Sequence, residues 1–166
     1  MSANQPLRKP RHADGRLMSE DEIRGLDGRD LDRFVAVCVG GYVEGGFDME
    51  RDPGDNFEAN LYGIPLNPIC PHYSTDIAAA FDVDRPDWVI LCGDSDRMLI
   101  ESGRGGVDRD ATDYRYGEQG VRCRIHAFNG SGRVEVVLRL LRRSTPADHA
   151  KCRCIAALLL AAKIGE

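Results

Sequence analysis

Between residues 28 and 41 the apolar positions Leu31, Phe34, Val35, Cys38 and Val39 follow the i, i+3, i+4, i+7, i+8 spacing of one helical stripe. Asp27 stands where an N-cap belongs, and Gly40 and Gly41 end the pattern. A second helix is expected from Ser74, with Ser74 as cap, Ile77, Ala80 and Phe81 as its apolar side and Pro86 as its stop. The period then changes to two. DWVILC and RMLIES read as strands either side of the turn at residues 93–96. In VRCRIHAF, Val121, Cys123, Ile125 and Ala127 alternate with Arg122, Arg124, His126 and Phe128. Asn129-Gly130-Ser131-Gly132 turns that strand into RVEVVLRLL, the clearest hairpin signal in the chain. A last helix opens on Thr145, Pro146 and Asp148, a capping-box pattern, and carries Cys152, Ile155, Ala156, Leu159 and Ala162 as its buried stripe.

The remaining stretches are polar. Residues 1–26 lack periodicity and read as a disordered tail. Residues 44–72 form a long loop with four prolines and, between Glu44 and Glu58, six acidic side chains. Residues 102–120 read as a Gly-rich loop. The expected fold class is therefore α+β. A small antiparallel sheet of three to four strands packs between helices in the order α-α-β-β-β-β-α, with one domain over residues 27–166.

Three stretches together resemble the phage ABA sandwich domain family of small bacteriophage and prophage proteins. The first is Leu31-Asp32-Arg33-Phe34-Val35-Ala36 leading to Val39-Gly40-Gly41-Tyr42. The second, and most specific, is Pro71-His72-Tyr73-Ser74-Thr75-Asp76-Ile77-Ala78-Ala79-Ala80-Phe81. The third is Arg153-Cys154-Ile155-Ala156-Ala157-Leu158. Gly40 and Tyr42 stand where the family usually has Met and Trp, and Asp84-Arg85-Pro86 shortens the second helix. The resemblance spans roughly residues 28 to 165 and implies a helix–sheet–helix sandwich and a viral origin. It brings no catalytic residue with it.

Composition narrows the partners. The chain has 166 residues and a formal charge of −5, with 9 basic against 19 acidic residues over 1–96 and 13 against 8 over 97–166. An acidic total opposes nonspecific nucleic-acid binding, and no nucleic-acid module signature is present. No apolar run reaches the length of a membrane span, and the basic N-terminus is not followed by the apolar stretch of an export signal. The six cysteines are accordingly expected as reduced thiols in a cytoplasmic protein, that of the infected bacterial host.

Candidate chemistry is sparse. Tyr73, Ser74, Thr75 and Asp76 could present hydroxyls and backbone N–H groups to an anion at a helix start, or simply cap that helix. Arg122, Arg124 and His126 share one strand face, with Arg133 and Arg139 extending it from the partner strand. That row suits a phosphate or an acidic surface, or pairs internally with Glu135 and the acidic loop. Cys70-x-His72 and His149-x2-Cys152 are single pairs where a zinc site needs four converging ligands. Asp48-x-Glu50-x-Asp52 is followed by Pro53 where a calcium loop needs Gly. Gly103-Arg104-Gly105-Gly106 lacks the Lys-Ser/Thr of a phosphate-binding loop. No metal, cofactor or catalytic residue is expected. The functional expectation is a non-enzymatic bacteriophage accessory protein that binds a host or phage protein, with inhibition of an anti-phage defence as one such role. The alternative is a binder of a small anionic, phosphate-bearing ligand at the arginine row, and self-association is left open.

Overall fold

The computed structural model describes residues 6–49, 67–94, 119–127, 130–140 and 142–166. Its elements run α1 (Glu20–Arg24), α2 (Gly28–Cys38), α3 (Ile77–Phe81), β1 (Trp88–Asp94), β2 (Gln119–Ala127), β3 (Arg133–Leu140) and α4 (Pro146–Ile164). The α+β class is as expected. The sheet has three described strands, antiparallel and in the order β1-β2-β3. The RMLIES segment offered as a fourth strand lies outside the described residues, as do most of the 44–72 and 102–120 loops.

Alternation sets the sheet's two faces. Val121, Cys123, Ile125 and Ala127 of β2 and Val134 and Val136 of β3 are buried inward, in the register Cys123↔Val136 and Ile125↔Val134. Between β2 and β3 the Gly130 N–H donates to Ala127 O at 3.0 Å, and Gly130 takes φ +74°, a left-handed value that glycine adopts freely. A Cβ on Gly132 would lie 2.8 Å from Ile164 Cγ2 and 2.9 Å from Leu160 Cδ1, so a side chain there would collide with the end of α4.

Helix α4 is the centre of the molecule. Thr145 and Asp148 form the reciprocal capping box with Pro146 in the first turn, as the sequence predicts. Beyond that start, Ala150 and every residue from Cys152 to Ala161 is buried, Arg153 included. A helix buried all round needs cover on every side. The inner sheet face packs along one side of α4, and α1, α2 and α3 pack on it as well. Among the described elements no helix packs on the sheet's other face, so the helix–sheet–helix layering is not observed there.

The tail assignment needs correcting. Of residues 1–26 the structure describes 6–26, and these are built into the fold. Leu7 and Ile23 enter the core, Pro10 is buried, and Met18 and Leu26 pack against the core. Arg8 N–H donates to Cys38 O at 3.0 Å, Lys9 N–H to Glu166 O at 2.9 Å and Glu166 N–H to Leu7 O at 2.9 Å. Backbone bonds of this kind leave no trace in hydrophobic periodicity, which is why a polar stretch can be ordered. Ser19 and Glu22 then cap α1 with a second capping box.

The thiol expectation is also corrected at one pair. Cys92 and Cys123 face each other in register across β1 and β2, with Cα atoms 4.2 Å apart, and are joined as a disulfide. Cys38, Cys70, Cys152 and Cys154 are free and buried. Among the described residues no helix is long and apolar enough to cross a membrane.

Candidate functional site

The residues singled out around 73–76 are structural. Tyr73 and Ser74 are buried, and α3 begins at Ile77 with Asp76, not Ser74, as its cap. Ser74 is already engaged: its N–H donates to Asp32 Oδ1 at 2.7 Å and its Oγ to Gly28 O at 3.2 Å. Asp76 instead accepts from Ala78 N–H at 2.9 Å. Asp32, only 1% exposed, is charge-balanced by Arg29 at 2.8 Å. The same guanidinium donates to the carbonyls of Met49, Cys70 and Pro71, holding both ends of the long loop on α2. Cys154 of α4 donates its Sγ–H to Tyr73 O at 3.2 Å. The three stretches that carry the family resemblance thus meet at one joint between α2, the 72–76 turn and α4. Thr75 is exposed there.

The arginine row is present, and two of its members share an acidic partner within the sheet. Arg122 Nε lies 3.2 Å from Glu135 Oε1 and Arg124 Nη2 3.1 Å from Glu135 Oε2, so one carboxylate on β3 holds both. Their side chains are 14% and 29% exposed. His126 is half-buried opposite Arg133 in the register, and Arg139 is exposed near the far end of β3. A ligand there would have to displace an ion pair already made.

A basic groove appears elsewhere. About 700 Å³ in volume, it is lined by Arg8, Lys9, Arg11 and His12 from the N-terminal segment and by Arg33, Phe34, Val37 and Cys38 of α2, with Glu44 and Glu166 also contributing. The segment lies there because its backbone is bonded to the end of α2 and to Glu166. Arg33 reaches Glu44 at 3.0 Å and stacks over the Phe34 ring at 4.7 Å from its centroid. His12 Nε2 sits 2.9 Å from Glu22 Oε2, and Arg11 donates to Gly15 O at 3.1 Å. The side chains of Arg8 and Lys9 make no hydrogen bond or ion pair among the described residues. Two uncommitted cations beside a partly apolar wall can hold an anion through charge-assisted bonds. The signal for this site, Arg8-Lys9-Pro10-Arg11-His12, is visible in the sequence. Its partner wall, contributed by α2, is not.

The free cysteines are poorly suited to nucleophilic chemistry. Burial pushes the Cys38 thiol up to about 12, with nearby Glu44 adding to the effect, and Cys70 up to about 11. Burial likewise raises Cys152 to about 12 and moves Cys154 in the same direction. Thiols held protonated are poor nucleophiles at neutral pH. Among the described residues no three His, Cys, Asp or Glu side chains converge as a metal site. No family model matches the chain, no curated protein matches it, and no solved structure matches it. The fold and groove define an α+β domain with a basic surface cleft.

Proposed function

We propose that this protein is a non-enzymatic binding protein that captures an anionic partner in the groove between residues 8–13 and α2. The observation that carries this reading is the pair Arg8 and Lys9, uncommitted in charge on a groove whose other wall presents Phe34 and Val37. By contrast, Arg122 and Arg124 share one carboxylate, Glu135, and are largely buried within the sheet. The resemblance of residues 31–42, 71–81 and 153–158 to phage sandwich proteins supports a role as a bacteriophage accessory protein. Such a protein would act on a host or viral partner in the bacterial cytoplasm, where a defence component is a fitting target.

The test is titration with inorganic pyrophosphate, followed by amide chemical shifts. The expected response maps to residues 8–13 and 33–38, and Arg8→Glu with Lys9→Glu weakens binding at least about tenfold, the scale of one lost charge-assisted bond. A response confined to residues 122–126, or no saturable response, overturns the assignment.

A further inference from the structure

We infer that the natural occupant of the groove is a small nucleoside phosphate and not an acidic polymer, an inference that rests on the groove being the binding site. Three features select it. The volume, about 700 Å³, falls within the range of roughly 300–1,000 Å³ in which small-molecule sites occur. The adjacent cations Arg8 and Lys9 suit a compact, multiply charged group, with the planar guanidinium matching phosphate oxygens in pairs. Glu44 and Glu166 line the same groove. Glu44 is paired with Arg33, so a uniformly acidic chain would bring like charge against Glu166 above all. A ligand with its charge gathered at one end, and with hydroxyl or amine donors elsewhere, would satisfy that carboxylate instead.

The wall formed by α2 adds the last element. Phe34 is half-buried, with the Arg33 guanidinium over its ring, and Val37 follows one turn later. The Phe34 and Val37 side chains also pack against the core, and the part of them left on the groove offers apolar surface to a flat heterocycle and nothing to a bare phosphate. The groove therefore matches a phosphate end, a hydroxyl-bearing middle and a ring.

Calorimetric titration of the full chain with ADP and, separately, with inorganic pyrophosphate tests the inference. ADP is expected to bind at least about tenfold tighter than pyrophosphate, a margin of about 1.4 kcal/mol. Arg8→Glu with Lys9→Glu should weaken both ligands. Phe34→Leu, a mild change checked for folding by circular dichroism, should remove most of the ADP advantage and leave pyrophosphate unchanged. ADP binding no tighter than pyrophosphate overturns the nucleoside assignment while leaving the anion groove standing. Preference for a hexa-aspartate peptide over ADP overturns it in the same way. Failure of both ADP and pyrophosphate to bind removes the groove itself.

Discussion

A single carboxylate holds the junction of α2 and the 72–76 turn. Asp32 accepts the Ser74 N–H and faces the Arg29 guanidinium, and it is almost wholly removed from water. Burying such a charge is favourable only while its partners remain. Asp32→Ala leaves the Ser74 N–H unsatisfied in the interior and strips Arg29 of its counter-charge, while Arg29 still spans three backbone carbonyls. The expected loss is about 3 kcal/mol, since a broken buried pair costs roughly 3–5 kcal/mol and Arg29 keeps partial access to water. A urea unfolding midpoint that moves by less than the equivalent of about half a kcal/mol would show that the joint does not depend on this carboxylate. In the sequence Asp32 reads as one more acid near a helix start. Its true partner lies 42 residues away, and no local pattern connects the two.

At the scale of elements, what was legible was whatever is encoded locally. The alternation of Val121, Cys123 and Ile125 and the Thr145-Pro146-Asp148 start each need only a few adjacent residues to declare themselves, and β2 and α4 are found where those signals stand. The segment that builds the groove is different, because its order comes from the buried Leu7 and Pro10 and from backbone bonds to Cys38 and Glu166. Glu22 ties this segment to α1. It accepts from the Ser19 N–H at 2.8 Å and from His12 at 2.9 Å, and lies 3.6 Å from Arg16. The Ser19 bond, followed by His12, holds its carboxyl well down, at about 2. In the unfolded chain the same group titrates near about 4.3. Between these values the unfolded state binds the extra proton, so the stabilisation is complete above the unfolded value and is lost as pH falls towards about 2. Glu22→Gln keeps a side chain able to complete the capping box but removes the charge. Its melting temperature is expected to lie below that of the parent at about pH 6, with the gap closing at acid pH. A gap that stays constant down to about pH 2 would mean that the interaction is not ionic.

The whole molecule is organised around α4, with the sheet on one side and α1, α2 and α3 against it. A sequence reading that assigns this helix one buried stripe underestimates it, since Cys154, Ala157, Leu158 and Leu160 outside that stripe are buried as well. Their burial follows from the helices that cover them, and contacts between elements this far apart in the chain are not written in any one segment. Strand β1, at one edge of the described sheet, is joined to the centre by its pairing with β2 and by the Cys92–Cys123 bridge. With the two cysteines separated by 31 positions in the sequence, closing that loop in the unfolded chain removes entropy worth about 3–4 kcal/mol. Two outcomes follow for protein purified without reductant. Thiol titration in denaturant should find four reactive groups, Cys38, Cys70, Cys152 and Cys154, and all six after reduction. In the native state those four should react slowly, because burial keeps them protonated and inaccessible. Reductant should also lower the melting temperature of the parent and leave Cys92→Ser with Cys123→Ser unmoved. Six thiols titrating before reduction would make the pair a reduced one, matching the reducing cytoplasm proposed for the protein, and β1 would then be held by its backbone ladder and by the packing of Trp88, Ile90 and Cys92.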